Sequence, residues 1–474
     1  MGELVTASIS PSQPAASTDR QKTGDYVLKG GWYTLWVMMA LMLVANVDRQ
    51  VLVLAGAPLA VALGLTDSEL GMVEGLAFAI FAVVAVYPIA WAADRFDRRL
   101  VFGLCVLTWS LGTAACGLAQ NFEQLFLAAV AIAAGEAGLI PIGVAFVPDL
   151  FKGRKRLLAN SFVYFFAMMG AAGGLMLGGG AIAMLDEFRN DLPASLQAFE
   201  SWRLAFFLVA LPTPIFLLLL AFTRLAYRSE VPEAASEAAQ QHDFWPFLGQ
   251  HRRAVASVFV GIGCYMLGIG GFLAWLPVVA TRLFGTTPGQ NGSLMGIATA
   301  VGLTAGVAIG TYFVRRLVVR LGPVASIRFY WIALLAALPI FITFPFVGAD
   351  WQLFALFGLL MLIFTAVGCA IPTILQDMAP PDLRGRMSAI WGIVNGTLAG
   401  LSPTLVGWVS GWLGPDPRLL LVAICLVAAP AWIFAALSFR MAERPFAELV
   451  NALSADPKPI VVNVADHLSE IEKG

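Results

Sequence analysis

Charged residues are scarce in this 474-residue chain, and their signs nearly balance. Asp, Glu, Lys and Arg together make up 12% of the residues, and the formal net charge is −1. Soluble domains carry about 25% charged residues, whereas proteins that bind nucleic acid present a basic surface. The scarcity excludes an ordinary water-soluble domain, and the balance of signs gives no indication of a nucleic-acid partner.

Histidine and cysteine are also few. The three His residues lie outside the long apolar runs or at the edge of one, so a His relay inside a membrane is not expected. The five Cys residues lie within apolar runs and form no Cys-x-x-Cys pair, which predicts packing residues without disulfides, metal or another cofactor. The chain has no His-Glu-x-x-His or Gly-x-Ser-x-Gly motif, so we do not expect an enzyme. No apolar core occurs in the first 30 residues, which predicts no cleaved signal peptide.

Long apolar runs are what the chain has in abundance. Hydrophobic residues make up 59% of the sequence, and the mean hydropathy is +0.81. A membrane-spanning helix needs about 20 consecutive apolar residues. We find twelve candidate runs: 32–56, 69–93, 99–119, 122–148, 157–184, 203–226, 253–281, 291–315, 325–347, 351–377, 386–412 and 418–440. The pattern predicts an all-α membrane protein with twelve transmembrane helices.

The polar segments divide these runs into two six-helix bundles. The expected divisions are a disordered N-terminal tail (1–31), a first bundle (32–226), a linker (227–252), a second bundle (253–440) and a C-terminal tail (441–474) with a short surface helix at 446–453. With both termini inside, 24 of the 29 Lys and Arg residues fall on the inner side. Because Lys and Arg favour cytoplasmic loops, we expect cytoplasmic termini and cytoplasmic tails and linker. The expected location is the bacterial inner membrane.

Ionisable residues lie deep inside the first and fourth runs, and Glu74 lies near the outer end of the second. The first run contains Asn46-Val47-Asp48-Arg49, and the fourth contains Glu136. Charges inside a membrane are costly and usually mark a function. Asp48 and Arg49 alternatively form a structural clip by neutralising each other. Since a second acid is present, we favour Asp48 and Glu136 as proton-binding residues, with Arg49 pairing with Asp48 or holding an anionic head group.

Charged residues between the second and third runs point to a family. The segment Asp94-Arg95-Phe96-Asp97-Arg98-Arg99 resembles the loop signature of the major facilitator superfamily, although Asp97 replaces its second glycine. The resemblance implies that Asp94, Arg95, Arg98 and Arg99 form a gating loop between helices.

Short motifs are most similar to those of the spinster-like lipid transporters. The matching residues are Asn46–Arg49, Asp94–Arg99, Gly135-Glu136-Ala137, Trp202-Arg203 and Ser402-Pro403. Organic-anion and sugar-acid symporters share parts of this set. The superfamily places an Arg seven residues before the Gly-Glu acid, where this chain has Ala129, natural or engineered. We therefore expect Asp48 to depend more on Arg49, and proton coupling to be weaker than in a relative with the Arg.

The resemblance implies a monomeric secondary transporter that works by alternating access and is driven by a proton gradient. Membrane charges concentrate in the first half, while the second half offers Asn395, Trp275 and other apolar or weakly polar groups. A cavity charged on one side suits a lipid-like, anionic amphiphile, with Arg49, Glu136, Trp275 and Asn395 as substrate contacts. A proton-coupled sugar-acid or organic-anion symporter is the alternative. A membrane-embedded enzyme, a channel and a non-transporting receptor are rival classes.

Overall fold

The computed structural model describes Val27, residues 30–139, Val147, residues 150–151, 153–223, 244–380 and 383–455. These ranges are helical almost throughout. The helices are α1 (Gly31–Leu54), α2 (Gly56–Leu63), α3 (Asp67–Gly71), α4 (Ala77–Arg95), α5 (Arg98–Leu118), α6 (Phe122–Glu136), α7 (Gly153–Glu187), α8 (Ala194–Gln197), α9 (Ser201–Ala210), α10 (Thr213–Ala221), α11 (Phe244–Gln250), α12 (Arg252–Phe284), α13 (Pro288–Leu321), α14 (Ala325–Thr343), α15 (Asp350–Gly368), α16 (Ile371–Asp377), α17 (Arg384–Leu413) and α18 (Pro417–Ala455). A π-helical turn, Met72–Leu76, joins α3 to α4, and short 3-10 turns lie at Arg189–Asp191, Gly322–Val324 and Phe344–Phe346.

Eleven helical segments in the described ranges are long and apolar enough to cross a membrane. They correspond to eleven of the twelve predicted runs and confirm the all-α membrane fold. The remaining run, 122–148, begins with α6, but residues 140–146 lie outside the described part. The predicted N-terminal tail and most of the predicted linker also lie outside it.

Local sequence signals set the helix starts at one end of the molecule. Thr66 and Glu69 form a reciprocal capping box at the start of α3, and Thr287 and Gln290 form another at the start of α13, where Pro288 occupies the first turn. Each box satisfies two backbone N–H groups that the first helical turn leaves without partners. The loops that precede α3 and α13 can therefore be short.

The C-terminal boundary differs from the expected one. The last membrane helix does not stop near residue 440 but continues to Ala455, so 446–453 is not a separate surface helix. Phe446 and Leu449 on this extension are buried, as is Phe247 of α11, which lies within the expected linker. Because these apolar side chains recur at helical spacing, the hydrophobic core continues past residue 440.

Two seams join the N-terminal half (30–223) to the C-terminal half (244–455). In the first seam, α3, the π-helical turn and α4 pack against α17; in the second, α7 packs against α13. Glycines let the backbones approach: a Cβ on Gly71 would lie 2.6 Å from the Pro403 carbonyl oxygen, and one on Gly179 would lie 2.9 Å from the Gly292 Cα. Such small-residue contacts are typical of membrane helix pairs. Gly179, which lies in the fifth run, thus allows α7 to pack closely against α13.

Among the described residues, the seams hold the two halves together at one end of the molecule. A Cβ on Gly400 would lie 2.9 Å from Ala79, whereas one on Gly396, one turn further, would meet nothing within 4 Å. Six of the seven α13 residues from Val307 to Phe313 are exposed. A groove of about 610 Å³ runs along this part of α13, between Thr304 and Val319. We call the end with the seams the closed end, and the end with Arg95 and Arg384 the open end.

Candidate functional site

Asp48 lies at the centre of the N-terminal half and is almost completely buried, with 1% exposure. Its Oδ2 atom makes a short hydrogen bond with the hydroxyl of Thr113 on α5. The same hydroxyl lies 3.0 Å from the backbone oxygen of Trp109. The Oδ1 atom of Asp48 is buried and has no hydrogen-bond partner among the described residues. The carboxyl is therefore held by a single hydroxyl in an apolar surrounding.

Arg49 points in a different direction from Asp48. Its guanidinium lies 4.3 Å above the ring of Phe78 on α4, and its Nη1 atom lies 3.9 Å from Oε2 of Glu136 on α6. The side chain of Arg49 remains 45% exposed, whereas that of Glu136 is 15% exposed. The other oxygen of Glu136 is buried without a partner among the described residues. The site thus presents an accessible cation backed by a weakly paired acid.

The expected Asp48–Arg49 pair does not form in this structure. Successive residues of an α-helix are about 100° apart, so Asp48 faces α5 while Arg49 faces α4 and α6. The expectation that Asp48 depends more on Arg49 was wrong for this conformation. Thr113, which the sequence analysis did not single out, is the partner of Asp48. Ala129 is fully buried, and the weaker coupling expected from it stays a prediction.

Glu74 is a third acid of the N-terminal half. It lies in the π-helical turn of the first seam, and its exposure is 5%. Neither of its carboxyl oxygens has a hydrogen-bond partner in the described part of the chain. Arg49 is the cation that acts on it electrostatically. Asp48, Glu74 and Glu136 are therefore three buried carboxyls of the N-terminal half with unmet hydrogen-bonding capacity.

Asp67 at the closed end is well paired, and sequence reasoning missed it. Its Oδ1 atom accepts a hydrogen bond of 2.8 Å from the Arg282 guanidinium on α12, and its Oδ2 atom accepts one of 2.6 Å from the Ser410 hydroxyl on α17. Asp67 belongs to the N-terminal half and both partners to the C-terminal half. We call these three residues the closed-end lock. The available signal was weak: an acid in a helical first turn and an arginine in a last turn.

Two predicted substrate contacts of the C-terminal half have different surroundings. Trp275 is fully buried, and its Nε1 donates a 2.9 Å hydrogen bond to the Pro403 oxygen. It packs between helices in this conformation and does not line the groove. Asn395 is partly buried, and its Oδ1 atom has no partner among the described residues. The structure therefore agrees with packing for Trp275 and leaves a ligand role for Asn395 as a prediction.

The predicted gating loop lies at the open end. Asp97 accepts a 2.8 Å hydrogen bond from the Arg99 backbone N–H and pairs with the Arg99 guanidinium at 3.2 Å. Partial burial raises the pKa of Asp97, but these contacts with Arg99 outweigh it and hold the pKa below its ordinary value. Arg95 stacks on Trp91. The side chain of Asp94 lies outside the described part, and the gating role stays a prediction.

Comparisons with known proteins assign the family. The model of the Major Facilitator Superfamily matches residues 31–403, so the chain belongs to this superfamily of transporters. It is a multi-pass membrane protein with the major facilitator fold. An "MFS-type efflux pump" of Mycolicibacterium smegmatis is 27% identical over 90% of this chain and 98% of its own. A "probable L-galactonate transporter" of Escherichia coli is 33% identical over 23% of this chain and 24% of its own.

Among solved structures, the chain is similar to a bacterial homologue of the human lysosomal transporter spinster in an inward-facing, unoccupied conformation. The TM-score is 0.71 and the identity 20%, over 89% of this chain and 97% of the other. At this identity the likeness concerns the fold. The bacterial relatives agree with a location in the inner membrane.

Proposed function

We propose that the protein is a proton-coupled transporter of anionic, lipid-like amphiphiles, working by alternating access. The observation that carries the proposal is the half-exposed Arg49 beside the buried, underpaired carboxyls of Asp48 and Glu136. A cation that reaches the space between the halves attracts an anionic group. Acids that lack partners favour their protonated forms, because an unpaired buried carboxylate is costly.

The surroundings of Asp48 suit a bound proton. A hydroxyl group has one proton to donate, and Thr113 contacts two acceptors, Oδ2 of Asp48 and the Trp109 oxygen. When Asp48 is protonated, it donates to Thr113, and Thr113 donates to Trp109. Each of these three atoms then has a partner, and the partnerless Oδ1 of Asp48 is a neutral carbonyl oxygen rather than part of a charged carboxylate. When Asp48 is ionised, the single hydroxyl proton has to serve both acceptors, so the ionised form is left short of a donor.

The placement of Arg49 and Glu136 suits exchange between substrate and proton. The 3.9 Å separation between Arg49 and Glu136 is long for a charge-assisted hydrogen bond. An anionic head group that binds Arg49 competes with Glu136 for the guanidinium. Once it loses the cation, Glu136 favours protonation. Binding of the anion at Arg49 thereby promotes binding of a proton at Glu136.

The groove along α13 suits the rest of an amphiphile. It is lined by apolar residues such as Val307 and Val319 and by Thr304 and Thr311, with Arg315 near its open end. Basic residues such as Arg95 and Arg384 at the open end support its assignment as the cytoplasmic end. Membrane lipids are the natural source of an amphiphile in such a groove. We infer that the protein acts as a monomer, since each chain supplies a complete site.

A sugar-acid or organic-anion symporter is the second candidate. The half-exposed Arg49 serves any small anion equally well, and the relative from Escherichia coli is described as a probable L-galactonate transporter. The two candidates share the proton-coupling residues and differ in the part of the ligand that lies in the groove.

Uptake into proteoliposomes with an imposed pH gradient tests the proposal. Labelled lysophospholipid and labelled L-galactonate are compared in wild type, Asp48→Asn and, as a control, the exposed Asp186→Asn. We expect saturable lysophospholipid uptake that needs the gradient, is lost in Asp48→Asn and persists in Asp186→Asn. Uptake of the sugar acid alone favours the second candidate. Uptake of either compound that ignores the gradient contradicts proton coupling.

A further inference from the structure

Glu74 occupies a contact between the two halves rather than the site around Arg49. A Cβ on Gly56 of α2 would lie 2.8 Å from Oε1 of Glu74 and 3.2 Å from Cγ2 of Val278 on α12. Gly56 belongs to the N-terminal half and Val278 to the C-terminal half. The carboxyl therefore lies where the halves meet at the closed end.

The π-helical turn explains why an acid lies there. Met72–Leu76 interrupts an otherwise α-helical segment, and such one-turn interruptions are rare and often occur at functional positions. The interruption changes the direction of the side chains that follow α3. Gly75 then faces Gly400 and Thr404 of α17, while Oε1 of Glu74 lies against Gly56, which Val278 of the opposite half also approaches. Gly75 thus contacts the opposite half directly, and Glu74 lies close to it.

Other ionisable groups around the turn do not neutralise Glu74. On α3, Asp67 is committed to the closed-end lock, and Glu69 caps its own helix. On α12, Arg282 pairs with Asp67. On α1, Asp48 bonds with Thr113, and Arg49 lies near Glu136 of α6 and acts on Glu74 only through space.

The remaining charged residues on the elements packed against the turn lie towards helix ends. They are Glu123 of α6, Asp94 and Arg95 of α4, Arg384 and Arg386 of α17, and Arg252 and Arg253 of α12. On α17, Thr404 lies against Gly75, and its hydroxyl donates to the Gly71 oxygen. An ionised Glu74 would be a buried charge without a hydrogen-bond donor, which costs several kcal/mol, whereas the neutral acid costs much less.

We propose that Glu74 is a proton-binding residue of the closed end, protonated while the halves are packed together and ionised when they separate and water reaches it. This inference rests on the proposed function only in assuming that the halves separate during transport. Raising the pH removes the proton and favours separation. Where the released proton is the only difference, the ratio of closed to open molecules falls about tenfold per pH unit.

Spin-label distances across the closed end test the proposal. Labels at Val61 and Phe346 report the separation of the halves, because these residues lie at that end in opposite halves and are 85% and 80% exposed. The labels are attached to cysteines introduced after the five native ones are replaced. The protein is placed in lipid nanodiscs and measured across a pH series. We expect the wild type to open as pH rises.

The variant Glu74→Gln imitates the protonated acid and should remain closed across the series, whereas Glu74→Asp should restore a pH-dependent opening. Glu123→Gln is the matched control, since Glu123 is an exposed acid of the same half, and it should behave like wild type. Opening of Glu74→Gln with the wild-type pH dependence would overturn the proposal. Asp48→Asn with unimpaired gradient-driven uptake would instead refute the proposed function and leave this result standing.

Infrared spectroscopy reports the protonation of Glu74 directly, whether or not the halves separate at the closed end. A protonated carboxyl has a C=O stretching band that the carboxylate lacks. We expect wild-type protein at neutral pH to show a protonated-carboxyl band, to which Asp48 and Glu136 also contribute, and one component of it should be lost in Glu74→Gln and kept in Glu123→Gln. An unchanged band in Glu74→Gln shows that Glu74 is ionised in the closed state and contradicts the proposal.

Discussion

The closed-end lock and the acids deeper in the membrane contrast in how their carboxyls are satisfied. Asp67 has a guanidinium on one oxygen and a hydroxyl on the other. Asp48, Glu74 and Glu136 each keep at least one buried oxygen without a partner in the described part of the chain. Paired carboxyls stay ionised and hold parts together, whereas unpaired buried carboxyls favour a proton. The same functional group thus suits an ionic contact between the halves in one region, and in the other region it suits the proton sites that we propose.

Removing the charge at the centre should have the largest effect. Asp48→Asn keeps the shape of the side chain and can hydrogen-bond with Thr113, but it cannot exchange a proton. We expect gradient-driven uptake to fall by about tenfold or more, while the fold is retained. Initial uptake rates and thermal unfolding measure the two effects. Uptake at the wild-type rate would remove Asp48 from the coupling mechanism.

Arg49→Leu should weaken substrate binding without affecting the lock. A hydrogen bond to a charged group contributes about 1.5–3 kcal/mol, so affinity for an anionic substrate should fall about 10- to 100-fold. Equilibrium binding to detergent-purified protein measures the change. The control is Arg418→Leu, because Arg418 is an exposed arginine away from the site. Equal affinities of the two variants would contradict the role of Arg49.

Enlarging a seam glycine should prop the closed end open. Gly179 lies against Gly292, whereas a Cβ on the adjacent Gly180 would meet nothing within 4 Å. Gly179→Val should therefore destabilise the closed conformation by about 1–3 kcal/mol through overpacking, and Gly180→Val should have little effect. Cysteine labelling from the closed end measures access. Similar labelling in both variants would contradict the importance of this seam.

Breaking the lock should have a moderate effect. The side chains of Asp67 and Arg282 are 16% and 27% exposed, so their interaction lies between an exposed and a buried pair. We expect Asp67→Asn to destabilise the closed conformation by about 1–2 kcal/mol. The double variant Asp67→Arg with Arg282→Asp should recover part of the loss. Asp67→Arg and Arg282→Asp are also measured singly. If the destabilisation of the closed conformation in the double variant equals the sum of the two single effects, the pair is not coupled.

Trp275→Phe should have the smallest effect on transport. It removes the indole N–H that donates to Pro403, which costs about 1 kcal/mol of stability. Because Trp275 is fully buried, we expect the substrate concentration for half-maximal uptake to change by less than about twofold. A large increase in this concentration would indicate that Trp275 contacts the substrate after all.

Hydropathy predicted the membrane helices because lipid imposes long apolar segments whatever the tertiary packing. It also directed attention to Asp48, Arg49 and Glu136, because charges in such segments are unusual. The partners of these charges were not predictable, since they depend on how neighbouring helices are rotated and placed. Asp48 meets Thr113, an ordinary residue of an apolar run.

The lock escaped prediction for a different reason. Asp67 and Arg282 lie at helix ends, where charges are common and need no special explanation. They are 215 residues apart in the chain, and only the meeting of the two halves brings them together. The extension of α18 to Ala455 was obscured because polar residues there alternate with the buried Phe446 and Leu449.

The most direct test of the central claim compares two transport modes in Asp48→Asn and Asp67→Asn. Gradient-driven uptake requires proton movement, whereas exchange of labelled for unlabelled substrate at equal pH requires only that the halves open and close. We predict that Asp48→Asn loses uptake but retains exchange, and that Asp67→Asn keeps the gradient dependence of uptake while its exchange rate changes. Loss of both modes in Asp48→Asn, or loss of gradient dependence in Asp67→Asn, would contradict the separate roles of the proton sites and the closed-end lock.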